Sequence, residues 1–174
     1  LLSDCHPALV SRWERVAATF ARRFAPWFLR VTRTFATTAE QAALFAQGRE
    51  DLATVNALRK AVGLWPLSPS ENTYTVTPCD GIRVRSNHQG VLVGEVLKST
   101  ALDFVPAIDP DGPQGPLKVR VDFIDEGRFR SAGQIAMAEG LVWGGIWPGR
   151  KRDMPHVELP DELIERPPLA QRLA

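Results

Sequence analysis

Sulfur is scarce in this chain of 174 residues, which contains two cysteines and two methionines. Cys5 and Cys79 are too few for a disulfide framework and cannot supply a zinc site with four thiolates, although their number allows one bridge. The sequence therefore predicts a fold that does not depend on sulfur.

Long apolar runs are also missing. No segment approaches the roughly 20 apolar residues of a membrane span. The first residues lack the basic segment and apolar run of a secretion signal, so no signal peptide is visible. We therefore expect a soluble protein that does not insert into a membrane.

An excess of one charge is the third absence. The 21 lysines and arginines nearly cancel the 20 aspartates and glutamates, which argues against a strongly basic nucleic-acid binder and an acidic disordered chain. Glu14 interrupts the arginines of the first predicted helix, which are Arg12, Arg15, Arg22 and Arg23. This cluster is interpreted as the solvated face of a helix, and no nucleic acid is expected as a partner.

Apolar material is sufficient for one core, because hydrophobic residues make up 44% of the chain. A single domain is predicted over residues 1–174, with a short tail at 160–174. Apolar residues at three- and four-residue steps, together with N-cap and glycine signals, predict helices. The predicted helices cover residues 7–26, 37–48, 52–62 and 131–139.

Short runs rich in β-branched and aromatic residues predict strands between these helices. The runs lie at residues 27–35, 75–77, 82–85, 91–96, 101–105 and 119–124, whereas the proline-rich segment 106–116 is predicted to be a loop. The pattern is typical of an α+β fold in which a small central antiparallel sheet is flanked by helices.

Three histidines are available for chemistry. His6 precedes Pro7 at the start of the first predicted helix and is interpreted as a local capping or packing residue. His88 and His156 are far apart in sequence, and each lies next to a predicted strand. A lone histidine is more often structural, so the motifs around these two decide their interpretation.

Four motifs surround these histidines in a fixed order. They are Ser-Asn-His at 86–88, Ala-Leu-Asp-Phe-Val-Pro at 101–106, Gly-Leu-Val-Trp-Gly-Gly-Ile-Trp at 140–147 and Asp-Met-Pro-His-Val-Glu-Leu at 153–159. Together with the helical segment 39–49, they resemble the zinc D,D-peptidase and L-alanyl-D-glutamate peptidase family, and its phage endolysins most of all. The resemblance covers roughly residues 6–160 and implies a D,D-peptidase/Hedgehog-like zinc fold.

The resemblance also implies one Zn²⁺ ion, with His88, Asp103 and His156 as its ligands. Two imidazoles and one carboxylate leave a zinc ion one open position, which distinguishes a catalytic site from a closed structural site. Asp153 holds the position of the family's general base. Three further positions match residues that bind substrate or support the site, namely Ser86, Gln41 and Trp143.

Two carboxylates near His156 have other interpretations as well. Asp153 could instead be a surface carboxylate that pairs with the basic residues 150–152. Glu158 lies two residues beyond His156 and would share its face of a strand, where it could fix an imidazole or a nearby backbone group.

One departure from the family pattern lies between His88 and Asp103, which are separated by a longer segment than usual. Residues 90–97 read as two short strands around a tight turn, so they are predicted to form an inserted hairpin that leaves its ends in place. Glu95 occupies the usual spacing and is the alternative ligand. Asp103 is preferred because the surrounding motif accompanies it.

The second departure is at Ala36, where the family usually has an arginine. Such an arginine would hold a substrate carboxylate or a developing oxyanion through its planar set of donors. Arg33 is a poor replacement, because alternation in a strand places residues 33 and 36 on opposite faces. Either the natural protein manages without this arginine, or alanine was introduced in its place; if a charged hydrogen bond to the transition state is lost, turnover is expected to fall and zinc binding to survive.

The function implied by the resemblance is that of a zinc metallopeptidase that hydrolyses the peptide stems of bacterial peptidoglycan at the L-alanyl-D-glutamate bond. Two alternatives remain open: a D-alanyl-D-alanine carboxypeptidase or dipeptidase, and a catalytically impaired, zinc-stabilised module that binds the cell wall. Peptidoglycan is the expected partner of a monomeric chain that acts on the bacterial wall, after synthesis in the host cytosol if it is encoded by a phage.

Overall fold

The computed structural model describes residues 1–109, 120–121 and 125–164. Within these ranges the chain has the predicted α+β fold, and none of its helices is long and apolar enough to cross a membrane. The helices are α1 (Pro7–Phe24), α2 (Thr38–Ala46), α3 (Leu52–Ala61) and α4 (Glu126–Ala138). The strands are β1 (Trp27–Arg33), β2 (Val91–Val93), β3 (Val96–Lys98), β4 (Ala101–Ile108), β5 (Arg120–Val121), β6 (Val142–Trp143) and β7 (His156–Glu158).

Helix α1 packs against β1 and α4 through its apolar stripe. The buried members of the stripe recur at three- and four-residue steps and are Leu9, Trp13, Val16 and Phe20. The Nδ1 atom of His6 accepts the N–H of Ala8 at 3.1 Å, and Pro7 occupies the first helical position. The predicted capping role of His6 is therefore confirmed.

Helices α2 and α3 end before glycines, as predicted, and α2 begins at the predicted side-chain cap. The Thr37 hydroxyl accepts the N–H of Glu40, whose carboxylate accepts the N–H of Thr37, and these two bonds form a capping box. Gly48 and Gly63 follow the two helices with φ angles of 72° and 75°. These values lie in the left-handed region that favours glycine at helix ends.

Strand β4 is the centre of the main sheet, which has the order β1-β4-β7-β6, with β5 also pairing with β4. All of these pairings are antiparallel. On one face of the sheet, Phe104 contacts Trp13 of α1 and Phe129 of α4, with ring centroids 5.1 and 5.6 Å apart. Because side chains alternate along a strand, Asp103 lies on the opposite face.

Strand β4 extends to Ile108, so the prediction that a loop begins at residue 106 was wrong. Phe104 donates its N–H to Pro155 on the β7 side of the strand, and by alternation Pro106 faces the same side. The β7 pairing ends at Asp103 and the β5 pairing begins at Ala107, so Pro106 lies in the gap between them. Its missing N–H therefore removes no hydrogen bond of the described ladder.

The strands predicted at residues 75–77 and 82–85 are irregular segments. One carboxylate oxygen of Asp80 accepts the N–H groups of Ile82, Arg83 and Val84 at 2.8–2.9 Å. Local bonds of this kind occupy the backbone donors that a strand would need. In segment 82–85 the β-branched composition was therefore overridden by the turn chemistry of the preceding aspartate.

Three other predicted boundaries can be compared with the structure. Helix α4 begins at Glu126 and not at residue 131, because the Asp125 carboxylate caps it by accepting the N–H of Arg128 at 2.9 Å. In the predicted strand 119–124, β5 is present, and the other positions lie outside the described residues. The same holds for the predicted loop beyond residue 109 and for the tail beyond residue 164.

The hairpin predicted at 90–97 is present as β2 and β3, which pair around Gly94 and Glu95. Gly90 precedes it with a φ angle of 67°, and a Cβ there would overlap the Lys98 carbonyl. A glycine is thus required where the hairpin leaves the body of the protein.

Cys5 and Cys79 are free thiols, and burial raises the pKa of Cys5 to about 11.

Trp143 of β6 is buried against α4, and this contact generates a stability prediction. Gly133→Ala is expected to lower the free energy of unfolding by about 1–3 kcal/mol, because the new Cβ would overlap the indole ring and the core must shift to accommodate it. Urea unfolding measures the change.

Gly127→Ala, in the first turn of the same helix, is the control. Its Cβ would meet only the Asp125 carboxylate, at 3.2 Å, so a change of no more than about 1 kcal/mol is expected. A Gly133→Ala protein with the unfolding midpoint of the unsubstituted chain would contradict the close packing of Trp143 on α4.

Candidate metal centre

Strand pairing brings two of the predicted ligands together. In the antiparallel register of β4 and β7, Asp103 lies directly opposite His156. His88 reaches the same place from a short 3-10 turn, Asn87–Gln89, which precedes the β2–β3 hairpin. Each of these three side chains offers a ligand atom within 4.8 Å of the other two. The predicted triad is therefore one cluster in space.

The imidazole of His88 is held from behind by the backbone. Its Nδ1 atom lies 2.6 Å from the Thr34 carbonyl oxygen, and its Nε2 atom lies 3.3 Å from Oδ1 of Asp103. A carbonyl can only accept, so Nδ1 carries the hydrogen and Nε2 is directed into the cluster. The backbone of His88 is fixed as well, because its carbonyl accepts the N–H of Ala36 at 2.9 Å.

The imidazole of His156 has the opposite arrangement of its nitrogens. Its Nδ1 atom lies 3.1 Å from Oδ1 of Asp103, and its Nε2 atom lies 2.8 Å from Oε2 of Glu158. The side-chain amide of Asn87 donates to the same oxygen of Glu158 at 2.8 Å. The Trp147 ring covers His156 at a centroid distance of 5.1 Å. The predicted sharing of a strand face by Glu158 and His156 thus produces a direct contact.

Charge is concentrated at this cluster. Burial alone would lower the pKa of His156, but the hydrogen bonds to Asp103 and Glu158 raise it to about 9. Burial alone would raise the pKa values of Asp103 and Glu158, but their hydrogen bonds to the histidines and, for Glu158, to Asn87 lower both. Two carboxylates therefore stabilise positive charge at His156.

Asp153 lies at the edge of this cluster, and the residue as a whole is exposed to solvent. Its N–H is donated to the Gly144 carbonyl at 3.0 Å, and its own carbonyl accepts the N–H of His156 at 3.3 Å. Burial of its carboxyl group by surrounding atoms, followed by the negative charge of Asp103, raises its pKa. Asp153 is thus exposed to solvent as a residue while its carboxyl group is partly buried, because the residue lies at the edge of the cluster.

The structure places the three supporting residues predicted from the sequence outside the cluster of His88, Asp103 and His156. Ser86 caps the turn of His88 by accepting the His88 N–H at 3.3 Å. Gln41 is buried and donates to Thr77 Oγ1 and to the Cys79 carbonyl. The hydrogen bonds of Ser86 and Gln41 are thus made to other groups of the protein.

Trp143, the third of these residues, is buried and donates its indole N–H to the Met154 carbonyl at 2.9 Å. Met154 lies between Asp153 and His156 in sequence, so this bond ties the segment that carries both residues to the hydrophobic core. The contacts of Trp143 thus give it two structural roles: it packs in the core, and it holds the segment that carries Asp153 and His156.

Ala36 is buried and lines a surface cavity of about 220 Å³. Phe35, Thr37, Thr38, Arg85, Gln89 and Leu97 complete the lining. Thr34 and Ala36 are buried and Arg33 is half-buried, but β1 ends at Arg33, so the alternation predicted between positions 33 and 36 does not run through a strand. Arg85 is the cation of this lining, and it donates to the Gln89 carbonyl at 3.3 Å.

Glu95 lies in the turn between β2 and β3 and is exposed. Among the described residues, the cluster contains Asp103 and not Glu95. The hairpin therefore places Glu95, the residue at the family's usual spacing from His88, at the surface. Asp103 and the motif around it lie in β4 of the main sheet.

Sequence reasoning did not single out three groups at the site: the Thr34 carbonyl and the Trp147 ring, which contact the histidines, and the Asn87 amide, which contacts Glu158. A backbone carbonyl leaves no signal in a sequence. Asn87 is adjacent to His88 and Trp147 ends the glycine-rich motif, so proximity in sequence was the available signal for both.

The donor set fits a divalent transition-metal ion. Two imidazole nitrogens and one carboxylate oxygen converge, and the second nitrogen of each imidazole is held by a hydrogen-bond acceptor, as is usual for metal-binding histidines. A cation bound at Nδ1 of His156 would replace the proton that Asp103 now stabilises there. A buried His88, Asp103 and His156 group can therefore hold a metal ion.

Metal addition is expected to stabilise the folded chain, because only the folded chain brings the three ligands together. Zn²⁺ at 100 times its dissociation constant should raise the free energy of unfolding by about 2.7 kcal/mol. Thermal unfolding with Zn²⁺ and with a chelator measures the difference.

Three variants make this measurement specific to the cluster. His88→Ala and His156→Ala should lose most of the stabilisation by Zn²⁺, and Glu95→Gln should retain it. Full stabilisation of both histidine variants would show that the ion binds elsewhere.

Comparison with protein-family models and with curated proteins gives no match for this chain. Because one fold can host many functions, the functional argument depends on the side chains of the centre and not on the fold class.

Proposed function

We propose that this chain is a zinc metallopeptidase that hydrolyses the peptide stems of bacterial peptidoglycan, at the bond between L-alanine and D-glutamate. The observation that carries the proposal is the convergence of His88, Asp103 and His156, with the carboxylate of Asp153 at the edge of the same cluster. The peptidoglycan substrate comes from the resemblance of the four motifs to zinc D,D-peptidases and L-alanyl-D-glutamate peptidases.

Zinc is the proposed ion because two imidazoles and one carboxylate are a common set of protein ligands for catalytic zinc. When bound, zinc would supply Lewis acidity toward a peptide carbonyl and lower the pKa of a water ligand toward about 7. The chain itself holds the histidines in the required orientation through the Thr34 carbonyl and the Glu158 carboxylate. The ligands would thus be oriented before the ion arrives.

Asp153 is the proposed proton carrier. A group that accepts a proton from water and returns it to a leaving amine works best when its pKa is near the working pH. Burial and the charge of Asp103 move the pKa of Asp153 upward, toward that range. The residue is exposed, which is compatible with access of water and a substrate to this edge of the cluster. These properties favour the catalytic role over that of a surface carboxylate paired with residues 150–152.

Digestion of purified peptidoglycan tests the proposal. The zinc-loaded chain should release peptides with new glutamate amino termini, and Asp153→Asn should slow this release by about 10² to 10⁴, the usual contribution of a positioned acid–base group. Mass spectrometry of the products and zinc content by elemental analysis are the two measurements.

The products also separate the alternatives. Released D-alanine in place of new glutamate termini would identify a D-alanyl-D-alanine carboxypeptidase or dipeptidase. Loss of zinc from Asp153→Asn would contradict its assignment as a base that is not a ligand. Absence of any cleavage by the zinc-loaded chain would reject the peptidase.

A zinc-stabilised module with impaired catalysis is the second candidate, and Ala36 favours it. The cavity beside Ala36 contains Arg85, but position 36 lacks the arginine expected from the resemblance. If one charged donor to the transition state is missing, the rate is expected to be about 10² to 10³ lower.

Ala36→Arg is therefore expected to raise turnover on peptidoglycan by up to about 10² to 10³ and to leave the zinc content unchanged. Thermal unfolding checks that the buried site tolerates the larger side chain. Equal rates for a folded Ala36→Arg protein and the unsubstituted chain would reject a role for the missing arginine. Zinc binding without cleavage in both proteins would select the wall-binding module.

A further inference from the structure

Asn87 and His88 are neighbours in sequence that contact different parts of the metal centre. His88 contributes a ligand atom, and Asn87 contacts Glu158, the carboxylate behind the other histidine. We propose that Asn87 is a positioning residue that holds Glu158 and, through it, fixes His156 for metal binding. This inference rests on the zinc centre of the proposed function and not on the bond that is cleaved.

The backbone at Asn87 is anchored to the start of β4. Its carbonyl accepts the N–H of Thr100 at 3.1 Å and the Thr100 hydroxyl at 3.2 Å, and the Ser99 hydroxyl lies 3.4 Å away. Ser99 and Thr100 are almost completely buried. The amide of Asn87 is therefore presented to Glu158 from a fixed point with only two side-chain torsions.

Glu158 needs such a restraint more than Asn87 does. It has one more side-chain torsion, and its side chain is 19% exposed. Its Oε2 atom receives two N–H groups, one from the Asn87 amide and one from His156, each at 2.8 Å. Two donors on one oxygen restrict the carboxylate in a way that His156 alone would not.

The restraint decides which nitrogen of His156 is available to a metal ion. While Glu158 accepts the hydrogen on Nε2, the Nδ1 atom is left facing Asp103. If Glu158 turned away, the ring could rotate or exchange its hydrogen between nitrogens, and the fraction of protein ready to bind the ion would fall. Asn87 thus couples the turn that carries one ligand to the orientation of the other.

The zinc affinity of the metal-free chain, measured by competition with a chromophoric chelator, tests the inference. Glu158→Ala should weaken zinc binding by about 10- to 100-fold, and Asn87→Ala should weaken it by about 10-fold, as expected for contacts behind a ligand. In the double variant, Asn87→Ala should cause no further loss, because its partner is absent.

Asn72→Ala is the matched control. The Asn72 side chain also bonds to residues distant in sequence, donating to the Glu50 carbonyl and accepting the N–H of Gly48, each at 2.9 Å, and neither residue belongs to the centre. It should leave zinc affinity unchanged. Asn87→Asp keeps the size of the side chain, removes the donor and adds repulsion, so it should weaken zinc binding at least as much as Asn87→Ala.

Two results would overturn the inference. The first is zinc affinity that is unchanged in folded Asn87→Ala and Asn87→Asp proteins. The second is a loss of zinc affinity, on adding Asn87→Ala to Glu158→Ala, as large as the loss that Asn87→Ala causes in the unsubstituted chain. The second result would mean that Asn87 merely supports its turn. A chain that binds zinc with this pattern but leaves peptidoglycan intact would reject the proposed peptidase and keep the positioning role.

Discussion

The antiparallel register between β4 and β7 is the constraint on which the candidate centre depends. It places Asp103 opposite His156 on one face of the sheet and Leu102 opposite Val157 on the other. Leu102 and Val157 are completely buried. A slip by one residue would turn these apolar side chains toward the site and the two polar side chains into the core. Burial of hydrophobic surface on one face therefore fixes the distance between two ligands that are 53 residues apart in sequence.

Each of the two histidines directs one ring nitrogen toward Asp103 and has the other nitrogen hydrogen-bonded behind it, but the nitrogen that faces Asp103 differs between them. His88 is backed by the carbonyl of Thr34 at Nδ1 and directs Nε2 inward, whereas His156 is backed by Glu158 at Nε2 and directs Nδ1 inward. The rings are 5.1 Å apart and nearly perpendicular, so neither blocks the approach of the other to Asp103. A neutral backbone group behind one ring and a charge behind the other also make the two ligands unequal. His156 is therefore expected to be the more electron-rich ligand.

Features that depend on local signals could be predicted from the sequence, and features that depend on long-range contacts could not. The cap at Thr37, the stripe of α1 and the hairpin after Gly90 are encoded by neighbouring residues, and the structure confirms them. The false strand at 82–85 has suitable composition, but Asp80 captures the N–H groups of Ile82, Arg83 and Val84. At the candidate site, the motifs named three residues that do cluster. The contact of Asn87 with Glu158 spans 71 residues and follows from the pairing of distant segments, which no spacing in the sequence reveals.

The segment that carries Asp153 shows how the core can support a reactive group without burying it. The indole of Trp143 is buried against Gly133 of α4 and donates its N–H to Met154, the residue after Asp153. Asp153 itself donates to the Gly144 carbonyl and remains exposed. The backbone that carries this carboxylate is thus held by hydrogen bonds to Gly144 and Trp143, while the residue stays in contact with solvent. Because Trp143, Val157 and Leu102 share one face of the sheet, the same apolar layer that fixes the ligand register also anchors the proposed base.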